Sequence, residues 1–142
     1  MKYPICMRRI YQPIEPAFRV LVDRLWPRGK TAQDLQLDLW LPDLAPSHSV
    51  RRSYHQGILD FTAFSRAFGQ ELQALETIFL PLMTAARKGR IDLLTAARQP
   101  ELSHLPVIHR QLLMLLERED RLADGDESAS PPCYMAQFNK DD

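Results

Sequence analysis

At 142 residues, with 45% hydrophobic and 25% charged side chains, the chain has the size and composition of one globular domain with a core of its own. Its basic and acidic residues balance to zero formal net charge, which speaks against a dedicated nucleic-acid binder, because that class carries a basic excess. No apolar run reaches the ~18 residues of a membrane helix, and the opening MKYPICMRR lacks a signal-peptide core. Cys6 and Cys133 stand far apart without a CxxC partner, so the expectation is a cytoplasmic protein with no metal, no cofactor and no membrane contact.

Residues Pro4–Ile10 read as a short strand, followed by a connector, YQPIEP, whose two prolines forbid helix or central strand. Phe18–Asp23 (FRVLVD) is β-branched and apolar, as a buried strand requires. The connector is too short for a parallel crossover, so these two strands should pair antiparallel if they pair at all. Thr31 caps a helix with Asp34 in its first turn, and Leu37, Trp40, Leu41 and Leu44 continue at helical spacing until Pro42 tightens or ends it. Ser47 caps a short helix through Arg51 to His55, which Gly57 breaks.

Asp60 caps the longest helical stretch, with Phe61, Phe64, Phe68, Leu72, Leu75, Phe79, Leu82 and Ala86 on one face. Pro81 should split it in two, since an interior proline loses a hydrogen bond at a cost of about 3 kcal/mol. Gly89 ends the helices, and Ile91–Ala97 is a further buried strand. An amphipathic helix from His104 to Glu119 turns Ile108, Leu112, Leu113, Leu115 and Leu116 inward. Together these elements predict one α/β domain over residues 1–120 and a polar, flexible tail over 121–142. Its sheet should hold three or four strands, mixed but with a parallel pair, flanked by about five helices.

If Val20–Asp23 and Ile91–Ala97 are parallel neighbours, a ligand belongs beyond their carboxyl ends. That rule collects Asp23, Arg24, Trp26 and Arg28 from one strand end, and Thr95, Arg98, Ser103 and His104 from the other, with Arg51 within reach on its short helix. Arginine forks suit a small anionic ligand, and Ser103 and His104 at a helix start add free N–H groups. His104 is the candidate acid–base group and Asp23 its candidate partner. Each residue also has a plainer reading: Asp23 and Arg24 as an internal ion pair, Trp26 as a packing anchor, His104 as a cap. No GxGxxG, Walker A, HExxH or GxSxG string occurs. The alternative is a non-catalytic binding or regulatory protein with a protein or weakly held nucleic-acid partner, in an oligomeric state that the sequence leaves open.

The blocks RVLVDRLWPRG, LDLWLPDLAPS and VRRSYH, the F…EL of Phe64–Leu72, and TAA followed by SH resemble the YeaO-like family of bacterial proteins, a domain of unknown function. The likeness runs in order from about Arg8 to Leu116 and implies an α/β fold in the bacterial cytoplasm, with no known reaction. The family usually has tyrosine at the position of Thr95, asparagine at Ser103 and tyrosine at Phe68. This chain therefore keeps the loop after Phe18–Asp23 but loses polar groups from the facing wall.

Overall fold

The computed structural model describes residues 2–124. The chain divides into two compact units, Met1–Leu112 and Leu113–Asp142, and all strands and the candidate site lie in the first. Four strands, β1 (Ile5–Arg9), β2 (Phe18–Leu21), β3 (Leu39–Trp40) and β4 (Ile91–Thr95), form one sheet in the order β1-β4-β2-β3. Every pairing is parallel.

The α/β class and the parallel β2–β4 pair are as the sequence suggests, but the sheet is not mixed. β1 and β2 do not pair, because β4 lies between them, with Cys6 and Arg19 both in register with Asp92. Residues 10–17 then need only carry the chain back past one strand. Eight extended residues span at most about 28 Å, enough for a return of about 16 Å along the strands and about 10 Å across them.

The second difference lies between β2 and β4. The capping box at Thr31 and Asp34 forms, yet α1 is a single turn, Ala32–Leu35. Gln36 adopts the left-handed conformation (φ 47°) and ends it. The Leu37, Trp40, Leu41 and Leu44 spacing is not helical; it covers β3 and a 3-10 turn at Pro42–Leu44. The cause is pairing with β2. Asp38 N–H donates to Arg19 O, Asp38 Oδ2 accepts from Arg19 N–H at 2.8 Å, and Leu41 N–H donates to Leu21 O. Those long-range bonds outweigh a weak local helical pattern.

The remaining helices follow their caps. Ser47 Oγ accepts from Val50 N–H to open α2 (His48–His55), and Gly57 beyond it takes φ 78°. Asp60 Oδ1 accepts from Ala63 N–H to open α3 (Phe61–Gln73). The expected split occurs. A 3-10 turn at Glu76–Phe79 precedes α4 (Leu80–Lys88), which carries Pro81 in its first turn, where no intrahelical donor is lost. Phe64, Phe68, Leu72, Phe79, Leu82 and Ala86 of the expected stripe are buried, whereas Phe61 and Leu75 are only half-buried. After a 3-10 turn at Pro100–Leu102, α5 runs from Leu105 to Ala123, past the expected Glu119 and into the start of the expected tail. The rest of that tail, with Cys133, lies outside the described residues.

β4 is buried on both faces, as a central parallel strand should be. Its one carboxylate, Asp92, is fully buried and closed in by arginines. Arg90 Nε donates to it at 2.8 Å, Arg8 Nη1 lies at 3.5 Å, and Glu15 pairs with Arg90 Nη2 at 2.9 Å. Arg19, also buried, spends Nε and Nη2 on Leu35 O. Burial lowers the pKa of Arg19, while the bond to Asp92 foremost pushes that of Arg90 further up.

Candidate functional site

The carboxyl ends of β2 and β4 are stitched together by Asp23 and His104. Val22 N–H continues the ladder to Leu94 O, which sets Asp23 just beyond the strand. Asp23 Oδ2 accepts from Ala96 N–H at 2.7 Å, directly after β4. His104 Nε2 lies 2.9 Å from Val22 O and 3.2 Å from Asp23 Oδ1. Both of those neighbours are acceptors, so Nε2 carries the hydrogen and in the neutral ring Nδ1 holds the lone pair. The N–H is aligned with Val22 O, leaving Asp23 Oδ1 buried with only the ring's approach. Phe68 meets the imidazole edge-on at 6.1 Å between centroids. Burial raises the pKa of Asp23, but the bonds from His104, the Ala96 amide and Thr95 outweigh it and hold the carboxyl below its usual range.

The facing wall is spent on the fold. Thr95 is buried, and its Oγ1 accepts from Ala97 N–H at 3.1 Å. Ser103 is also buried; its hydroxyl donates to Pro100 O at 2.6 Å and accepts from Leu105 N–H. Asp23, Thr95 and His104 thus share one cluster, with Ser103 beside it as the cap of α5.

The loop after β2 is braced. Arg24 Nη2 donates to Ala45 O and Pro46 O, tying this loop to the segment that opens α2. Trp26 packs against the core formed by Ile10, Leu21, Leu35 and Leu94, and its Nε1 donates to Lys30 O at 2.7 Å. Lys30 N–H returns to Pro27 O, closing a turn around Arg28 and Gly29. Gly29 supplies the φ of 78° that a side chain at that turn position resists. Arg28 sits exposed at the tip, with no hydrogen bond or ion pair among the described residues. Arg51 on α2 and Arg98 after β4 are likewise exposed.

Three contributors escaped sequence reasoning. Trp40, expected on a helix, donates Nε1 to Asp23 O at 2.8 Å and meets Trp26 edge-on at 5.2 Å. Tyr54 stacks on Phe64 at 4.3 Å and donates to Leu102 O, joining α2 to the turn before α5. Tyr11 stands under two cations, Arg9 and Lys30. Only the alternation of β1, which sends Arg8 and Arg9 to opposite faces, could have separated Arg9 from its neighbour.

A cavity of about 500 Å³ lies elsewhere, at the amino end of the sheet, lined by Phe18, Pro81, Thr84, Ala85, Lys88, Gly89 and Arg90. Among the described residues no group of His, Cys, Asp and Glu is arranged to hold a metal ion, and no helix is long and apolar enough to cross a membrane.

Residues 4–135 match the family model DUF488-N3i, described as the inactive DUF488-N3 subclade. The chain is 35% identical over 103 residues to the Escherichia coli (strain K12) "Uncharacterized protein YeaO", covering 71% of this chain and 90% of that protein. It is 32% identical over 106 residues to the Mycobacterium bovis "Uncharacterized protein Mb3100c" and the Mycobacterium tuberculosis "Uncharacterized protein Rv3073c", covering 73% of this chain and 89% of each relative. No solved structure matches the chain.

Proposed function

We propose that the chain, which belongs to the inactive DUF488-N3 subclade and is YeaO-like, binds a small anionic molecule in the bacterial cytoplasm without turning it over. The observation that carries this reading is Arg28. Its loop is fixed by a turn, a buried proline and an indole hydrogen bond, yet the guanidinium at the tip has no partner among the described residues. A rigid loop that presents an unpaired guanidinium binds carboxylate or phosphate at little ordering cost. Arg51 and Arg98, which are exposed, could add charge, whereas Arg24, Thr95 and Ser103 already serve the fold.

Thermal unfolding in rising orthophosphate tests this. Linkage stabilises the folded state by about 2.7 kcal/mol at a hundredfold excess over Kd, so the wild-type Tm should climb with concentration and that of Arg28→Ala should not. A flat wild-type response, or an undiminished one in Arg28→Ala, rejects the reading.

One observation favours proton transfer as a second reading. The His104 ring is backed by Asp23 through Nε2, and its Nδ1 has no protein partner among the described residues, as a general base would need. The word inactive in the family description and the backbone bonds that occupy Asp23 and Nε2 favour binding over turnover.

A further inference from the structure

We infer that Arg9, Tyr11 and Lys30 form a second anion subsite beside Arg28, so that the ligand is a small molecule carrying two anionic groups, as a diphosphate does. This rests on the Arg28 reading and extends it to residues that the strand-end rule did not collect.

The guanidinium carbon of Arg9 lies 4.8 Å from the Tyr11 ring centroid, and Lys30 Nζ lies 5.6 Å from the same centroid. Neither cation has an ion pair with a carboxylate among the described residues. Arg9 Nε is buried with no hydrogen-bond partner among the described residues. Asp34 feels the charge of Lys30, but its carboxylate is taken by Thr31 N–H in the capping box. Two like charges gathered at one ring, without a counter-charge among the described residues, repel each other, and a bound anion relieves that repulsion. The ring holds the guanidinium by its face, and the terminal N–H groups of a guanidinium are the donors that phosphate oxygens accept from.

Lys30 is joined to Arg28 by the turn it closes, and Trp26 braces that turn from beneath. Arg28 and Lys30 therefore stand on one turn, on either side of Gly29. The adjacent Arg8 shows the opposite arrangement, with Asp92 and Glu15 beside it. The difference between the two arginines follows from strand alternation, which turns one towards the carboxylates and the other towards Tyr11.

Calorimetric titration of inorganic diphosphate and orthophosphate into the wild-type chain, Lys30→Gln, Arg9→Gln and Arg28→Ala decides the matter. Diphosphate should bind the wild type about tenfold tighter than orthophosphate, the worth of an added charge-assisted contact. Lys30→Gln and Arg9→Gln should bring that ratio close to one while orthophosphate binding persists. Lys30→Gln is decisive if Arg9→Gln fails to fold, because the backbone bonds of Lys30 do not depend on its side chain. If the ratio in Lys30→Gln equals that of the wild type, or the wild type does not distinguish the anions, the second subsite is rejected while the Arg28 reading stands on its own variant. If neither anion binds, both fall together.

Discussion

Two groups of arginines at the sheet are treated in opposite ways. Around the buried Asp92 of β4, Arg8 and Arg90 close in with Glu15 on the outside, and Arg19 spends its guanidinium on Leu35 O. At the carboxyl end, Arg9 and Arg28 have no carboxylate among the described residues, and Lys30 shares the Tyr11 ring with Arg9. Arginine in a strand-end block is therefore no sign of a ligand until its partners are known. What separates the two groups is whether the positive charge is already neutralised.

The largest expected effect breaks the closed group. Asp92→Asn removes the only buried carboxylate of β4 and leaves Arg8 and Arg90 beside a neutral amide. Breaking a buried ion pair from one side costs about 3–5 kcal/mol, and the partial exposure of Arg90 places this one near the lower bound. Urea denaturation should show it as a large fall in midpoint at unchanged slope, and a loss below about 1 kcal/mol would mean that the cluster is not closed as described.

Asp23→Asn comes next and probes the clasp between β2, β4 and α5. It removes the charge that the Ala96 amide and His104 face, at a cost of about 1–3 kcal/mol. The pH dependence has a definite sign. Because the folded carboxyl titrates below its unfolded value of ~3.9, its contribution is complete above that value and fades as the pH falls through the folded pKa. Stability of the wild type should therefore decline on the acid side more steeply than that of Asp23→Asn. Parallel acid limbs for the two proteins would contradict the lowered pKa.

The smallest effects compare two arginines of the same loop. Arg24→Ala gives up bonds to Ala45 O and Pro46 O and should cost about 1 kcal/mol. Arg28→Ala loses no hydrogen bond or ion pair among the described residues and should stay within about 0.5 kcal/mol of wild type, while losing the response to anions. If Arg28→Ala proved as destabilising as Arg24→Ala, the open end of the comparison would be closed after all.

Local chemistry made much of this fold legible. Ser47 and Asp60 cap the helices they were expected to cap, Pro81 falls where it costs no hydrogen bond, and Phe64, Phe68 and Phe79 of the apolar stripe are buried. Those signals act within a turn or two, so the chain carries them wherever it folds. The stretch from Leu37 to Leu44 misled because its apolar spacing is short, and pairing with β2 decides its form. The same holds for the sheet. Nothing local to residues 4–23 reveals that β4 will enter between β1 and β2.

At the site, the sequence by itself brought Asp23 from one strand end together with Thr95, Ser103 and His104 from the other, since a parallel sheet puts its carboxyl ends together. It also collected Arg28 from the loop that follows Phe18–Asp23. Only the tertiary structure decided which of these groups are already occupied, and that Arg9 and Lys30 converge on Tyr11. The physical reason is that hydrogen bonds and ion pairs are made by whichever groups lie within about 3–4 Å. Sequence periodicity sets the face on which a side chain stands, and packing sets what stands opposite it.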